Sequence, residues 1–315
     1  MRSIFIDRRN TGNRLLEVLQ ASFHLSRKDA LDALRERQVR ICGGVCVDPE
    51  RRVKAGQHIQ LDAKPRSATK TSVPAIVVRF VDEHLVVVEK PPGMTTVRHA
   101  DEVEALGRRA KKFLPPTLVD LLPAILAQQG HRSKDRIRAV HRIDKETSGL
   151  VVLTRTPDAE RHLGKQFRAP TIGRHYLALV RGHAKEARIE SHFIADRGDG
   201  RRGSSETAEG QLAITQVQVV ETLGNFTLVE CRLETGRTHQ VRIHLGEAGT
   251  PLCGERIYDR PLHGKPQPDQ SGAKRPLLHA AYLAVDHPVT GKRLEWRAEL
   301  PKDMSELVKR WRTSV

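Results

Sequence analysis

Val140-His141-Arg142-Ile143-Asp144-Lys145-Glu146-Thr147-Ser148-Gly149-Leu150-Val151-Val152-Leu153 joins a charged turn to a run of apolar, β-prone residues. In an extended chain, residues two apart share a face, so Arg142 and Asp144 project to the same side. The run that follows is apolar enough to be a buried strand. Such a strand fixes the Lys-Glu-Thr-Ser-Gly turn and holds Asp144 at the rim of a rigid sheet. A single carboxylate with a basic neighbour suits catalysis beside a phosphate. A surface ion pair at a strand end is the other reading, and spacing alone leaves both open.

Composition narrows the choice. At 315 residues the chain has material for two domains or one large one. Its 54 Lys and Arg against 38 Asp and Glu give a net charge of +16, which favours a polyanionic partner, nucleic acid before membrane. Aromatic residues make up only 4%, too few for a broad stacking platform for single strands. No apolar stretch approaches the roughly 20 residues needed to span a bilayer. The start, Met-Arg-Ser-Ile-Phe-Ile-Asp-Arg-Arg, lacks a signal-peptide core. A soluble, cytoplasmic monomer is the expectation. Cys42 and Cys46 flank Gly43-Gly44, read as a two-residue hairpin turn, while Cys231 and Cys253 lie apart among apolar neighbours. That spacing does not make a zinc site, so reduced thiols are expected. With no metal-ligand cluster and no dinucleotide fingerprint, neither metal nor cofactor is expected.

Residues 1–62 read as a small independent unit. Leu15, Leu16 and Leu19 recur at helical spacing, and Ser26 with Asp29 three places on starts a second helix carrying Ala30, Leu31 and Leu34. Val39 to Ile41 and Val45 to Val47 read as a hairpin, followed by a strand over His58 to Leu61. Residues 1–72 carry 15 Lys/Arg against 8 Asp/Glu, a net of +7, leaving +9 for the other 243 residues. The N-terminal unit is thus the more densely basic. Residues 63–75 have the chemistry of a linker, small, polar and bounded by proline.

A second domain, 76–315, opens with a hairpin of Ile76 to Phe80 against Leu85 to Glu89, then Lys90-Pro91-Pro92-Gly93. Residues 98–112 read as an exposed insertion, and a helix over about Thr117 to Gln128 should be kinked by Pro123. Strands are expected at the segment bearing Arg142 and Asp144, and at His175 to Val180, Ile214 to Glu221, Phe226 to Leu233, Leu277 to Val285 and Arg293 to Ala298. A C-terminal helix follows. Residues 196–210 look like a mobile basic loop and about 260–275 like another. Thr235-Gly236-Arg237-Thr238-His239-Gln240-Val241-Arg242-Ile243-His244-Leu245 reads as a loop into a helix capped by Thr238, with His239 and Arg242 sharing a face. Alternation over 240–245 leaves a strand open for the same residues. Many strands with few helices between them give an α+β fold on a large, mainly antiparallel mixed sheet.

These segments carry a family likeness. The first closely resembles the His-Arg-Leu-Asp-x-x-Thr-Ser-Gly-Leu active-site motif of the RluA-type pseudouridine synthases, with Ile143 for Leu the one departure in that core. Lys90 to Gly93 is similar to the family's Lys-Pro-x-Gly. Gly173-Arg174-His175-Tyr176-Leu177-Ala178-Leu179-Val180 resembles its Lys-x-Tyr-x-Ala-x-Val strand, and 235–245 its Gly-Arg-x-His-Gln-x-Arg-x-His. Pro251 to Tyr258 and Leu277 to Ala280 extend the likeness, which runs from about Ile76 to the C-terminus. Asn13 to Leu61 looks like the S-four RNA-binding domain, except that Cys42 stands where Asn is usual.

The resemblance implies the pseudouridine synthase fold behind an S-four-like domain, and an enzyme that isomerises uridine in structured RNA. It makes Asp144 the essential carboxylate, Tyr176 the ring that stacks on the target base, and Arg242 the ion-pair partner of Asp144, holding it ionised. His141, Arg142, Arg237 and His239 are the substrate-binding candidates, with Arg142 filling the space left by a flipped base or pinning the backbone. Whether Asp144 attacks the sugar, attacks the base or removes a ribose proton stays open. Large-subunit ribosomal RNA is the favoured partner. Transfer RNA, or a non-catalytic role in ribosome assembly, is the alternative.

Overall fold

The computed structural model describes residues 2–7, 9–36, 38–41, 44–62, 75–98, 115–131, 135–169, 172–197, 201–207, 209–261 and 264–313. The expected linker, but for Ala75, and the expected 98–112 insertion, but for Arg98, lie outside the described residues. The chain forms two compact units, Met1–Ala75 with Arg98–Pro116, and Ile76–Val97 with Thr117–Val315.

The first unit runs β1 (Arg2–Phe5), α1 (Leu15–Phe23), α2 (Arg27–Arg35), β2 (Val39–Ile41), β3 (Gly44–Val45) and β4 (His58–Leu61). Helix α1 buries Leu15, Leu16, Val18, Leu19 and Phe23 and ends at His24, whose left-handed φ of 53° turns the chain. Ser26 caps α2 by accepting from the Asp29 amide. The strands form an antiparallel sheet in the order β1-β4-β2-β3. Ile41 pairs with Gly44, so the residues between the hairpin strands are Cys42 and Gly43, outside the described residues. The expected Gly43-Gly44 turn therefore lies partly outside the described residues. Strand β1 is an addition to the sequence reading: four residues that gain their place by pairing with β4, Arg2 opposite Leu61.

The second unit begins with β5 (Val77–Val81), β6 (Leu85–Lys90), α3 (Leu118–Gln128), β7 (Arg138–Ala139), β8 (Ser148–Thr154), α4 (Pro157–Arg168) and β9 (Gly173–Arg181). It continues through β10 (Ala187–Ile194), β11 (Gly203–Ser204), β12 (Gln211–Leu223), β13 (Phe226–Leu233), α5 (Gln240–Glu247), β14 (Leu278–Asp286), β15 (Arg293–Arg297) and α6 (Lys302–Arg312). Among the described residues the strands make one sheet ordered β11-β10-β12-β13-β9-β14-β8-β6-β5, with β15 on β14 and β7 on β8. Every pairing is antiparallel except β14 with β8.

Strands β6 and β8 are buried on both faces, which is why Leu150-Val151-Val152-Leu153 reads as a continuous apolar run. Val86, Val88, Val151 and Leu153 pack with Leu118, Leu122 and Leu126 of α3, while Leu85, Val87, Leu150 and Val152 pack with Leu163 of α4. Further along the sheet, α5 covers Ala178, Val180 and Val229, and α6 covers Leu179 and Leu228 on a separate cluster. Tyr176 packs against both the α3 and the α5 clusters. Helix α3 runs unbroken through Pro123, which sits on its exposed side.

Candidate active site

Asp144 lies in an irregular segment rather than a strand: β7 ends at Ala139, and the turn closes when the Thr147 amide donates to Asp144 O at 3.1 Å. The alternation survives without the strand, since Arg142 is exposed, Ile143 buried and Asp144 partly exposed. Distant segments hold this turn by its backbone. Thr96 Oγ1 donates to Ile143 O at 2.9 Å. Lys90, only 1% exposed, spends its three ammonium protons on Pro91 O, Met94 O and Lys145 O, and the Gly93 amide also donates to Lys145 O. Burial lowers the Lys90 pKa to about 7, although the Glu146 and Asp144 carboxylates pull it upward. On the other side Arg275 donates to Glu146 O, and Ser148 Oγ is hydrogen-bonded to His279 Nδ1 at 2.9 Å. Gly149 follows because only glycine fits. Its φ is +113°, and a Cβ there would stand 2.3 Å from Ala280 O.

The facing wall is the loop before α5. The helix begins at Gln240 from His239, which takes a left-handed φ of 60°. Thr238 is exposed and does not cap, and no side chain caps this helix. Instead, Gln240 knits the loop: its Oε1 accepts from Thr235 Oγ1 and the Arg237 amide, and its Nε2 donates to Ile214 O and Thr215 Oγ1. His239 and Arg242 do converge, but from the cap and the first turn rather than from one turn inside the helix. Arg242 NH1 lies 3.4 Å and His239 Nε2 3.9 Å from Asp144 Oδ2.

The better hydrogen bonds of Arg242 go elsewhere. Its Nε and NH2 donate to the two oxygens of Glu255 at 2.7 and 2.9 Å, and the Glu255 side chain is fully buried. Burial alone would raise the Glu255 pKa, but Arg242 and the amides of Ile257 and Tyr258 outweigh it and hold the carboxyl below its ordinary range. For Arg242 the same pair outweighs burial in the other direction and raises its pKa. The Tyr258 ring sits 5.3 Å from the guanidinium, with its hydroxyl hydrogen-bonded to His239 Nδ1 at 2.9 Å. Burial lowers the His239 pKa, and Asp144 opposes that shift. Arg242 is therefore fixed from behind by Glu255 and Tyr258, while its contact to Asp144 is long and leaves the carboxylate room to engage a substrate.

Tyr176 lies close enough to Asp144 and Arg174 for both charges to act on it, and burial pushes its hydroxyl up to about 12, so it stays a neutral ring. The remaining candidates diverge. His141 turns into the protein: its Nε2 accepts from the Val152 amide at 3.0 Å, and its ring stacks on Phe167 at 4.4 Å. Burial, helped by Arg174, drops its pKa to about 3. Arg237 is exposed and its Nε donates to Leu212 O, away from Asp144. Arg142 is exposed beside the Asp144 turn. Glu255, Tyr258 and Lys90 are the additions. Gly254-Glu255-Arg256-Ile257-Tyr258 was visible as a segment, but nothing in it marks Glu255 as the anchor of an arginine thirteen residues earlier. The stretch 196–210 is partly secured rather than a free loop. Gly203–Ser204 pairs with β10, and Arg197 and Ser204 both bond Glu247.

Residues 84–247 match the family model described as RNA pseudouridylate synthase, a span that holds Asp144, Tyr176 and Arg242. The chain is 35% identical to ribosomal large subunit pseudouridine synthase D of Zymomonas mobilis, over 85% of this chain and 83% of that protein. It is 32% identical to the RNA pseudouridine synthase YlyB of Bacillus subtilis, over 91% of this chain and 90% of that one. Human RNA pseudouridylate synthase domain containing 4 superposes with a TM-score of 0.58 over 75% of this chain and 93% of its own; at 24% identity it supports the fold alone. The chain belongs to the RNA pseudouridylate synthase family, and it is an isomerase on the pseudouridine synthase fold.

Proposed function

We propose that the protein converts specific uridines of large-subunit ribosomal RNA to pseudouridine, acting as a cytoplasmic monomer with Asp144 as the essential carboxylate. The observation that carries the reading is the Asp144–Arg242–Glu255 arrangement: one accessible carboxylate facing an arginine locked by a second, buried one. The reaction breaks the N1–C1′ bond, turns the uracil, joins C5 to C1′, gives up the C5 proton to solvent and takes one up at N1, with no redox change. The uridine swings out of its stack at a cost of a few kcal/mol, which phosphate contacts offset. Asp144 acts on the uridine's ribose–base unit, Tyr176 carries the uracil on its ring face, and Arg142 contacts the RNA at the rim. Residues 1–62, the more densely basic unit, contribute affinity and target choice as an S-four-like RNA-binding domain. The relatives named for large-subunit RNA favour that substrate over transfer RNA. Base-resolution mapping of pseudouridine in total RNA from cells with and without the protein tests this. One or more sites in large-subunit RNA should vanish without it. Loss confined to transfer RNA, or no loss, would overturn the assignment.

A further inference from the structure

Among the described residues, Arg174 of β9 is a buried cation with no counter-ion. It is 8% exposed, and among the described residues it neither donates a hydrogen bond nor forms an ion pair; its Nε is sealed from solvent with no acceptor. The other buried arginines nearby are differently served. Arg181 donates to Leu252 O, Gln267 O and Glu255 O, Arg242 to Glu255, and Arg275 to Asp303. Among the described residues, the Arg174 guanidinium has the Phe167 ring, 5.7 Å from its carbon, and no acceptor. Burying an unpaired charge is costly, and a partner arriving from outside would offset that cost.

Its surroundings say where that partner would sit. Arg174 and Tyr176 are two apart on one strand and therefore share a face. Its NH1 lies 2.5 Å from where a Cβ on Gly236 would be, so the guanidinium reaches the exposed loop that leads into His239 and Arg242 only because residue 236 has no side chain. The lowered pKa of His141, to which Arg174 contributes, is consistent with a charge that nothing neutralises locally. A uracil carbonyl could accept hydrogen bonds here but would leave the charge uncompensated. In RNA the group that does both is a phosphodiester.

We infer that Arg174 is an anion site that takes the phosphodiester on one side of the target uridine, pinning the backbone while the base lies against Tyr176. This rests on the synthase reading above. The test is a cycle between protein and RNA. A ribosomal RNA fragment containing a mapped target uridine is made with its natural linkages, or with one neutral methylphosphonate 5′ or 3′ to that uridine. Binding and pseudouridine formation are then measured for the wild type and Arg174→Met. The wild type should lose about 10- to 100-fold in affinity for one of the two neutral linkages, the range of a charged hydrogen bond. Arg174→Met should lose a similar factor on natural RNA, lose nothing more on that same neutral RNA, and show a salt slope shallower by about one. A full further loss in the combination would overturn the site. Should Arg174→Met fail to fold, the wild type alone decides: indifference to both neutral linkages also overturns it. A wild type that binds the natural fragment yet makes no pseudouridine would instead remove the synthase reading and this inference with it.

Discussion

In the N-terminal unit the buried side chains are apolar, from Ile6 to Leu61, whereas the larger unit buries Lys90, Arg174, Arg181, Arg242, His244, Glu255, Arg275 and His279 among its leucines and valines. The first kind of core needs only the right apolar spacing. The second needs partners for its charges, Arg174 apart, brought from other segments of the chain: Lys90 to Lys145 O, Arg275 to Glu146 O, Arg242 to Glu255. Most of these contacts converge on the turn that carries Asp144 or on the arginine facing it. Buried charge at that density marks where a fold gives up simple packing to hold chemistry in place.

The contrast breaks most sharply at Arg242. Arg242→Met strands the Glu255 carboxylate in the interior, so the larger unit should lose about 3 to 5 kcal/mol, and turnover should collapse with it. Urea denaturation read by a probe in that unit checks the first and pseudouridine formation the second. A variant of unchanged stability would mean that Glu255 is satisfied without Arg242.

Acid should separate the two units next. Burial lowers His141 to about 3 and His244 and His279 to about 4, each from an ordinary value of 6.5. Between those values the unfolded chain binds protons that the folded unit refuses, so stability is full above about 6.5 and falls as pH drops toward 4. Each histidine contributes at most about 1.4 kcal/mol per pH unit. The described histidines of the N-terminal unit, His24 and His58, are not buried. Hydrogen exchange at pH 7 and pH 5 should therefore show the larger unit loosening selectively. Equal loosening of both would contradict the assignment.

The smallest effect on chemistry should come from removing residues 1–62. Affinity for long structured RNA falls, and the salt slope flattens by about 0.7 to 0.9 per lost phosphate contact, while saturating turnover on a short RNA changes little. A shortened chain that folds yet has lost saturating turnover would show that the division of labour between the units is wrong.

Legibility follows the same contrast. His58–Leu61 could be read because its buried residues alternate, and the run after Gly149 because it is apolar throughout. Helix α5 stayed ambiguous for a physical reason: Val241, Arg242, Ile243, His244 and Leu245 are all buried, so no face is left polar to set a period. Strand β10 escaped because it is largely exposed, with Arg188 paired to both Glu190 and Glu234 on the sheet surface, so no buried period marks it. Helix α4 escaped although Thr156 capping the Ala159 amide and Pro157 in the first turn are ordinary start signals. At the site, Asp144, Tyr176 and Arg242 stood in recognisable segments. Glu255 did not, because its role is set by a three-dimensional meeting that leaves no spacing in the chain.

On the proposed reading Asp144 does the chemistry, and Glu255 rather than Asp144 holds Arg242. Asp144→Asn keeps the shape and leaves the 2.7 and 2.9 Å bonds of Arg242 to Glu255 untouched. With ribosomal RNA carrying tritium at uridine C5, release of tritium to water reports the reaction directly. The purified variant should fold and bind this RNA as the wild type does, yet release no tritium. Release near the wild-type rate would show that Asp144 is not the essential carboxylate.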